Sequence, residues 1–172
     1  MSVFERFTCE DLFHCNAVNL GNLTENYNLG FYLHYSANWP DFYSMGKHPD
    51  GQTMGYIMGK AEGNGEDWHG HVTAITVGPE FRRVGLANQM MQWLEEMSEK
   101  VYDGYFVDLF VRASNSVAVE MYKHMGYTVY RRVIGYYSGE EDACDMRKAL
   151  PRDVNKKSII PLDHPVYPHE VD

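Results

Sequence analysis

A chain of 172 residues, 44% hydrophobic and 14% aromatic, can bury one sizeable core and has no room for a second full domain. A formal net charge of -9 excludes general binding to DNA, RNA or anionic membrane, so any anionic ligand must be met by a local basic cluster. Three cysteines, Cys9, Cys15 and Cys144, without Cys-x-x-Cys spacing predict reduced thiols and no zinc ribbon. MSVFERFT has charges where a signal peptide needs an apolar run, and no apolar stretch approaches the roughly 18 residues of a membrane span, so a soluble cytoplasmic protein is expected.

Val3 to Phe7 reads as a short strand, and Thr8 with Asp11 resembles a capping box opening a helix through Asn19. After the loop LGNLTEN, Tyr27, Phe31, Tyr35 and Trp39 recur every four residues on one helical face until Pro40 ends the helix. Core packing accounts for most of that stripe, and part of it is a candidate docking face. Phe42 to Lys47 and Thr53 to Lys60 flank the turn HPDGQ and form a hairpin. HGHVTAITV, residues 69 to 77, is a strong strand; a long helix from about Arg83 to Lys100 carries Leu86, Met90, Leu94, Met97 and Val101 on one stripe. GYFVDLFVR is a strand, SNSVAVEMYKHM a helix stopped at Gly126, and YTVYRRVIGYY pairs across SGEED with ACDMRKAL as a late hairpin. Four prolines follow from Pro151 onward, so one domain over residues 1–150 and an extended tail over 151–172 are expected. The alternation of periods near 2 and 3.6 residues places the chain in the α/β or α+β layer classes.

Gly85, placed in the first turn of the long helix, weakens a helix by about 1 kcal/mol relative to Ala, which suggests close approach of a ligand to the backbone. Free N–H groups at a helix start bind anions, and Arg82 and Arg83 add charge there, so a phosphate or pyrophosphate is implied. Two rival phosphate motifs fall away. GNGEDW lacks the third glycine of G-x-G-x-x-G, and MGYIMGKA has Ala61 where a P-loop needs Ser or Thr. His69 and His71 share one strand face, a spacing that can suit a metal, but no third ligand is evident and no metal is expected.

RRVGLA fits the R-x-x-G-x-A loop of the GNAT acetyltransferases, after the strand TAITV and opening a long helix, and the order of strands and helices is similar too. NSVAVEMYKHMGY resembles that family's second landmark, with Asn115, Ala118 and Tyr122 along one helix face. LTENY, FYLHY..WP, MGYIMGKAEG, WHGHVTA, PEFRRVGLA, FVDLFVR, the late YY and KKSIIPLDHPV together resemble the catalytic subunits of the N-terminal acetyltransferase NatB over nearly the whole chain. HGH, RRxGLA and the YY hairpin are shared with NatA catalytic subunits; the tail and the aromatic helix favour NatB.

The resemblance implies a GNAT fold of class α/β, with a mixed, mostly antiparallel sheet of about seven strands flanked by about four helices. It implies acetyl-CoA as co-substrate, held by Ile75, Val77, Arg82, Arg83, Val84, Gly85, Leu86, Ala87, Asn115 and Tyr122. For the peptide it implies Glu25, Tyr27, His71, Thr73, Ala74, Tyr136 and Tyr137. Tyr122, Glu25 and His71 take the catalytic roles: Tyr122 gives a proton to the departing thiolate, and Glu25 orients the substrate amine or its relay water. Backbone N–H groups near Val77 hold the thioester oxygen. Independently of the resemblance, His71 is expected to donate a hydrogen bond to an Asp, Glu, Asn or Gln at substrate position two. Alternation along a strand points Tyr136 and Tyr137 to opposite faces, so at least one of them is expected to be a packing residue. A large helical auxiliary subunit of the NatB complex and nascent N-termini at the ribosome are the implied partners. A NatA-like or small-amine acetyltransferase and a non-catalytic acyl-CoA-binding module remain as alternatives.

Overall fold

The computed structural model describes residues 3–19 and 26–171. Seven strands, β1 (Val3–Arg6), β2 (Ser44–Lys47), β3 (Thr53–Glu62), β4 (His69–Val77), β5 (Phe106–Arg112), β6 (Thr128–Tyr137) and β7 (Glu141–Ala149), form a sheet in the order β1-β2-β3-β4-β5-β7-β6. Four α-helices occur among the described residues: α1 (Asn16–Asn19), α2 (Leu29–Asn38), α3 (Leu86–Lys100) and α4 (Ser116–His124). The β1–β2, β2–β3, β5–β7 and β6–β7 ladders are antiparallel, and the α/β class agrees with the expectation. The chain divides into two compact units, Met1–Lys60 with Val72–Met97 and Ala61–His71 with Ser98–Asp172.

In the first unit, Thr8 donates from its backbone N–H and its hydroxyl to the Asp11 carboxylate at 2.8 and 2.7 Å. The helix this opens is shorter than expected: a 3-10 helix covers Cys9–His14, and α1 follows after Cys15. Cys15 is buried against the aromatic core, which turns the chain inward at the break. Asn28 caps α2 by accepting from the Phe31 N–H at 2.9 Å. The aromatic stripe is core. Tyr27 stacks on Phe31 at 4.3 Å, Phe31 contacts Tyr35 at 4.6 Å, and all pack against a cluster containing Phe7, Tyr32, Tyr43 and Tyr56. The exposed apolar residues of α2 are Leu29 and Leu33, outside the predicted stripe.

The β2–β3 hairpin turns at Gly51, whose φ of 89° only glycine adopts without strain. Along α3, Leu86, Met90, Met91 and Leu94 are buried, whereas Val101 lies beyond the helix and is exposed. Leu86 packs over Gly46 and Gly55, and a Cβ on Gly46 would meet its side chain at 3.0 Å. A Cβ on Gly55 would lie 2.5 Å from the Thr76 carbonyl oxygen and 3.2 Å from the Val77 Cα. Both of those partners are backbone and cannot rotate away. Gly55→Ala is therefore expected to destabilise the fold by about 1–3 kcal/mol, read as a lowered urea midpoint.

In the second unit, β6 and β7 form the expected late hairpin, with register shifts between Val129 and Arg131 and between Val133 and Tyr137. Gly135 sits in the second irregularity at φ 63°. The C-terminal segment runs along β6: Leu162 N–H donates to Tyr130 at 2.8 Å, Val166 N–H to Arg132 at 2.9 Å, and Ile134 N–H to Val166 at 2.8 Å. Val166 is buried with Val133 and Ala143. These bonds use backbone groups that an edge strand would otherwise present to solvent or to another chain.

Candidate active site

The start of α3 is a shaped loop. Arg83 and Gly85 adopt φ of 64° and 83°, values outside the helical region, and so the helix begins at Leu86 and not near Arg83 as expected. Gly85 precedes the first turn, and its carbonyl accepts the helical bond from Gln89 N–H at 3.1 Å. The N–H groups of Leu86, Ala87 and Asn88 thus precede the first intrahelical bond. Arg82, Arg83, Val84 and Gly85 are exposed, and nothing lies within 4 Å of a Cβ position on Gly85. Arg82 donates from Nε to the Val77 carbonyl at 3.3 Å, tying the loop to the end of β4. An open backbone turn, unspent N–H groups, a positive helix end and two guanidinium groups fit an anion such as a pyrophosphate.

Also in the first unit, Thr73 donates from Oγ1 to the Tyr35 hydroxyl at 3.2 Å, and Tyr27 donates to the Thr73 carbonyl at 3.5 Å. Ala74 packs against the same aromatic cluster as Tyr27. Ile75 and Val77 are half-buried on β4. Glu25 lies outside the described residues.

In the second unit, Asn115 caps α4, its side chain accepting from the Ala118 N–H at 3.2 Å. Tyr122 is buried, and that burial pushes its phenol up to about 12. It is therefore protonated throughout the neutral range. Its ring meets Tyr127 edge to face at 6.1 Å.

His71 does not stand alone. Its Nδ1 lies 2.8 Å from Asp108 Oδ1, and the same oxygen is 3.5 Å from His69 Nε2. Glu62 Oε1 is 3.9 Å from His69 Nε2 and 3.8 Å from His71 Nδ1. Burial by itself would raise the Asp108 carboxyl, but the His71 charge and the hydrogen bonds from His69 and His71 outweigh it and hold it well below the usual carboxylate range. His69 shows the converse: burial disfavours its charged form, while Asp108 and the Asp67 carbonyl overcome this and raise it. No group of side chains arranged for a metal occurs among the described residues.

Beside His71, Phe110 stacks on Tyr136 with ring centroids 4.8 Å apart, and the Tyr137 hydroxyl donates to the Phe110 carbonyl at 3.3 Å. Arg112 lies 4.1 Å over the Tyr137 ring and is held by Glu141 at 2.8 Å. Tyr137 packs against the cluster of Val133, Ala143 and Val166, as was expected of at least one of the two, while its ring meets that of Tyr136 at 5.2 Å, closer than simple alternation allows. The β6 irregularity at Gly135 breaks the two-residue repeat just before them. The first unit therefore brings together Tyr27, Thr73 and Ala74, and holds the Arg82 loop on β4. The second brings together His71, Tyr136 and Tyr137. Asp108 was missed in the sequence, although a carboxylate inside the apolar run FVDLFVR must find buried partners and is itself a signal.

A sheet of this order with a glycine loop opening the long helix defines an acyl-CoA acyltransferase fold, and residues 11–127 match the acetyltransferase (GNAT) family. The chain belongs to that family, whose enzymes use acetyl-CoA. It is 64% identical to N-alpha-acetyltransferase 20 of Dictyostelium discoideum over 172 residues, spanning 100% of this chain and 99% of the relative. It is 56% identical to the N-terminal acetyltransferase B complex catalytic subunit of Arabidopsis thaliana, again over 100% of this chain and 99% of the relative. A crystal structure of Chaetomium thermophilum Naa20 in complex with a bisubstrate analogue superposes with a TM-score of 0.91 at 41% identity, covering 97% of each chain. The expected likeness to NatB catalytic subunits along nearly the whole chain is met. No helix among the described residues is long and apolar enough to cross a membrane.

Proposed function

We propose that the chain is the catalytic subunit of a NatB-type N-terminal acetyltransferase, moving acetyl from acetyl-CoA to the α-amine of nascent proteins that begin Met-Asp, Met-Glu, Met-Asn or Met-Gln. The observation that supports this above others is the 64% identity to N-alpha-acetyltransferase 20 across the full 172 residues. The chain acts in the cytoplasm, at the ribosome, with a large helical auxiliary subunit. Residues 1–150 form its acetyltransferase domain, and 151–172 the tail.

Acetyl-CoA supplies the acetyl group as a thioester. The turn at Arg82, Arg83, Val84 and Gly85, with the Leu86 and Ala87 N–H groups, receives its pyrophosphate, and Asn115 holds α4 so that Tyr122 is placed. Ile75 and Val77 lie along the cofactor, with backbone N–H groups near Val77 for the thioester oxygen. An α-amine has an ordinary pKa of about 7.7–8.0, so a useful fraction is neutral near physiological pH and no strong base is required. Glu25 orients that amine, and Tyr122 protonates the thiolate. Tyr27, Thr73 and Ala74 of the first unit and Tyr136 and Tyr137 of the second are assigned to the peptide, since tyrosines combine apolar surface with a hydroxyl for the peptide backbone.

His71 reads the second side chain. The test is acetylation of free-amine peptides varied at positions one and two by the full chain and by His71→Ala. A general NatA-like or small-amine enzyme would show no preference for Met followed by Asp, Glu, Asn or Gln. Loss of a hydrogen bond to a charged group costs about 1.5–3 kcal/mol, so His71→Ala is expected to lower kcat/KM on Met-Asp roughly ten-fold or more relative to Met-Ala. The neutral Met-Asn peptide is expected to lose less. Equal losses on all three peptides would pass the selectivity to backbone N–H groups or a tyrosine.

A further inference from the structure

An ionised carboxylate only accepts hydrogen bonds, so the 2.8 Å contact places a proton on His71 Nδ1 and leaves Nε2 as the nitrogen free to address a ligand. What Nε2 can do then depends on its own proton. Without one it accepts, which suits the amide of Asn or Gln and opposes a carboxylate. With one it donates, and suits all four side chains. Reading an acidic residue thus requires the imidazolium form of His71, and a buried imidazolium requires a counter-charge.

We propose that Asp108 is the specificity-positioning residue of this enzyme: it fixes the tautomer of His71 and supplies the buried negative charge that lets His71 donate from Nε2 to an acidic second residue. The proposal rests on the reading of His71 given above. Its geometry is built into three strands. Asp108 on β5 is 3% exposed, and its carboxylate meets His71 and His69 from β4, with Glu62 at the end of β3 within 4 Å of both imidazoles. On β7, Arg147 pairs in register with Asp108, and Asp145 feels the Asp108 charge. Asp145 in turn is held by Arg131 of β6 at 2.8 Å and by Arg147 at 3.5 Å. His69 donates from Nδ1 to the Asp67 carbonyl, so its own contact to Asp108 runs through Nε2. Asp108 is therefore the acceptor shared by two histidines, and only His71 has a nitrogen without a partner carboxylate or carbonyl among these contacts.

The decisive readout is the ratio of kcat/KM for Met-Asp over Met-Asn peptides. In that ratio the substrate amine, Tyr122 and any general loss of activity cancel. Asp108→Asn keeps the side-chain volume but offers no charge and can donate as well as accept, so the ratio is expected to fall about ten-fold. Acetyl-CoA affinity by calorimetry and retained Met-Asn turnover show that the variant is folded. A double variant with His71→Ala is expected to match His71→Ala alone in this ratio, since the two residues act as one unit.

Where His71→Ala changes the ratio and Asp108→Asn leaves it at the wild-type value, Asp108 loses this role and the His71 reading stands. Where His71→Ala itself leaves the ratio unchanged, the His71 reading falls and this proposal with it. Nitrogen-15 NMR of the His71 ring in the wild-type chain needs no variant: a proton on Nδ1 is expected, and a bare Nδ1 with a protonated Nε2 would overturn the proposal.

Discussion

Tyr122→Phe is expected to lower kcat by about 10²- to 10⁴-fold while leaving acetyl-CoA and peptide binding within about two-fold of wild type. The substitution removes one hydroxyl from a side chain that is 7% exposed and keeps the ring that meets Tyr127, so packing survives. What is lost is a proton donor needed chiefly as the thiolate leaves, and an interaction made mainly in the transition state appears in kcat. Burial, which pushes the phenol up to about 12, keeps the donor loaded. The wild-type enzyme is accordingly expected to show no loss of turnover through Tyr122 between neutral pH and about pH 10, where an unperturbed tyrosine would begin to ionise. Steady-state kinetics with calorimetric binding checks both statements, and wild-type turnover in the phenylalanine variant would end the assignment.

Gly85→Leu is expected to weaken acetyl-CoA binding by ten-fold or more without unfolding the protein. A Cβ at this position meets nothing within 4 Å, so the effect does not start from a clash of the β-carbon in the free protein. It comes from the backbone. At φ 83° a branched residue is strained by about 1–2 kcal/mol, and the loop relieves that strain by turning its N–H groups away from the anion. Hydrogen bonds to a charged group are worth about 1.5–3 kcal/mol each, so losing one is enough for the ten-fold change. Arg83→Gly separates geometry from charge, because glycine tolerates the φ of 64° found there but carries no guanidinium. It is expected to weaken binding with a reduced dependence on salt. Arg82→Ala removes both a charge and the bond to the Val77 carbonyl. Unchanged affinity in all three variants by calorimetry would remove this turn from the cofactor site.

The motifs RRVGLA and NSVAVEMYKHMGY, the strand HGHVTAITV and the late hairpin were legible because each depends on neighbours in the chain. Periodicity sets which side of a helix or strand is apolar, and glycine or asparagine marks where a helix can start. Boundaries set by φ were less legible. α3 starts at Leu86 because Arg83 and Gly85 take positive φ, and an arginine in that conformation has no signature of its own. The break at Cys15 and the common position of Tyr136 and Tyr137 at Phe110 depend on what the rest of the fold presents to them.

The sequence by itself determined the class of the fold, which follows from the order of local periodicities, and it marked the Arg82–Gly85 turn and Tyr122 as candidates through their likeness to GNAT motifs. It also held a signal that went unread, one carboxylate, Asp108, within the apolar run FVDLFVR. Only the tertiary structure decided that this carboxylate answers His71 and His69, residues 37 and 39 positions earlier in the chain. A buried charge must be compensated wherever the fold allows, and the strands that supply its partners are joined by hydrogen bonds across the sheet, not by proximity along the chain.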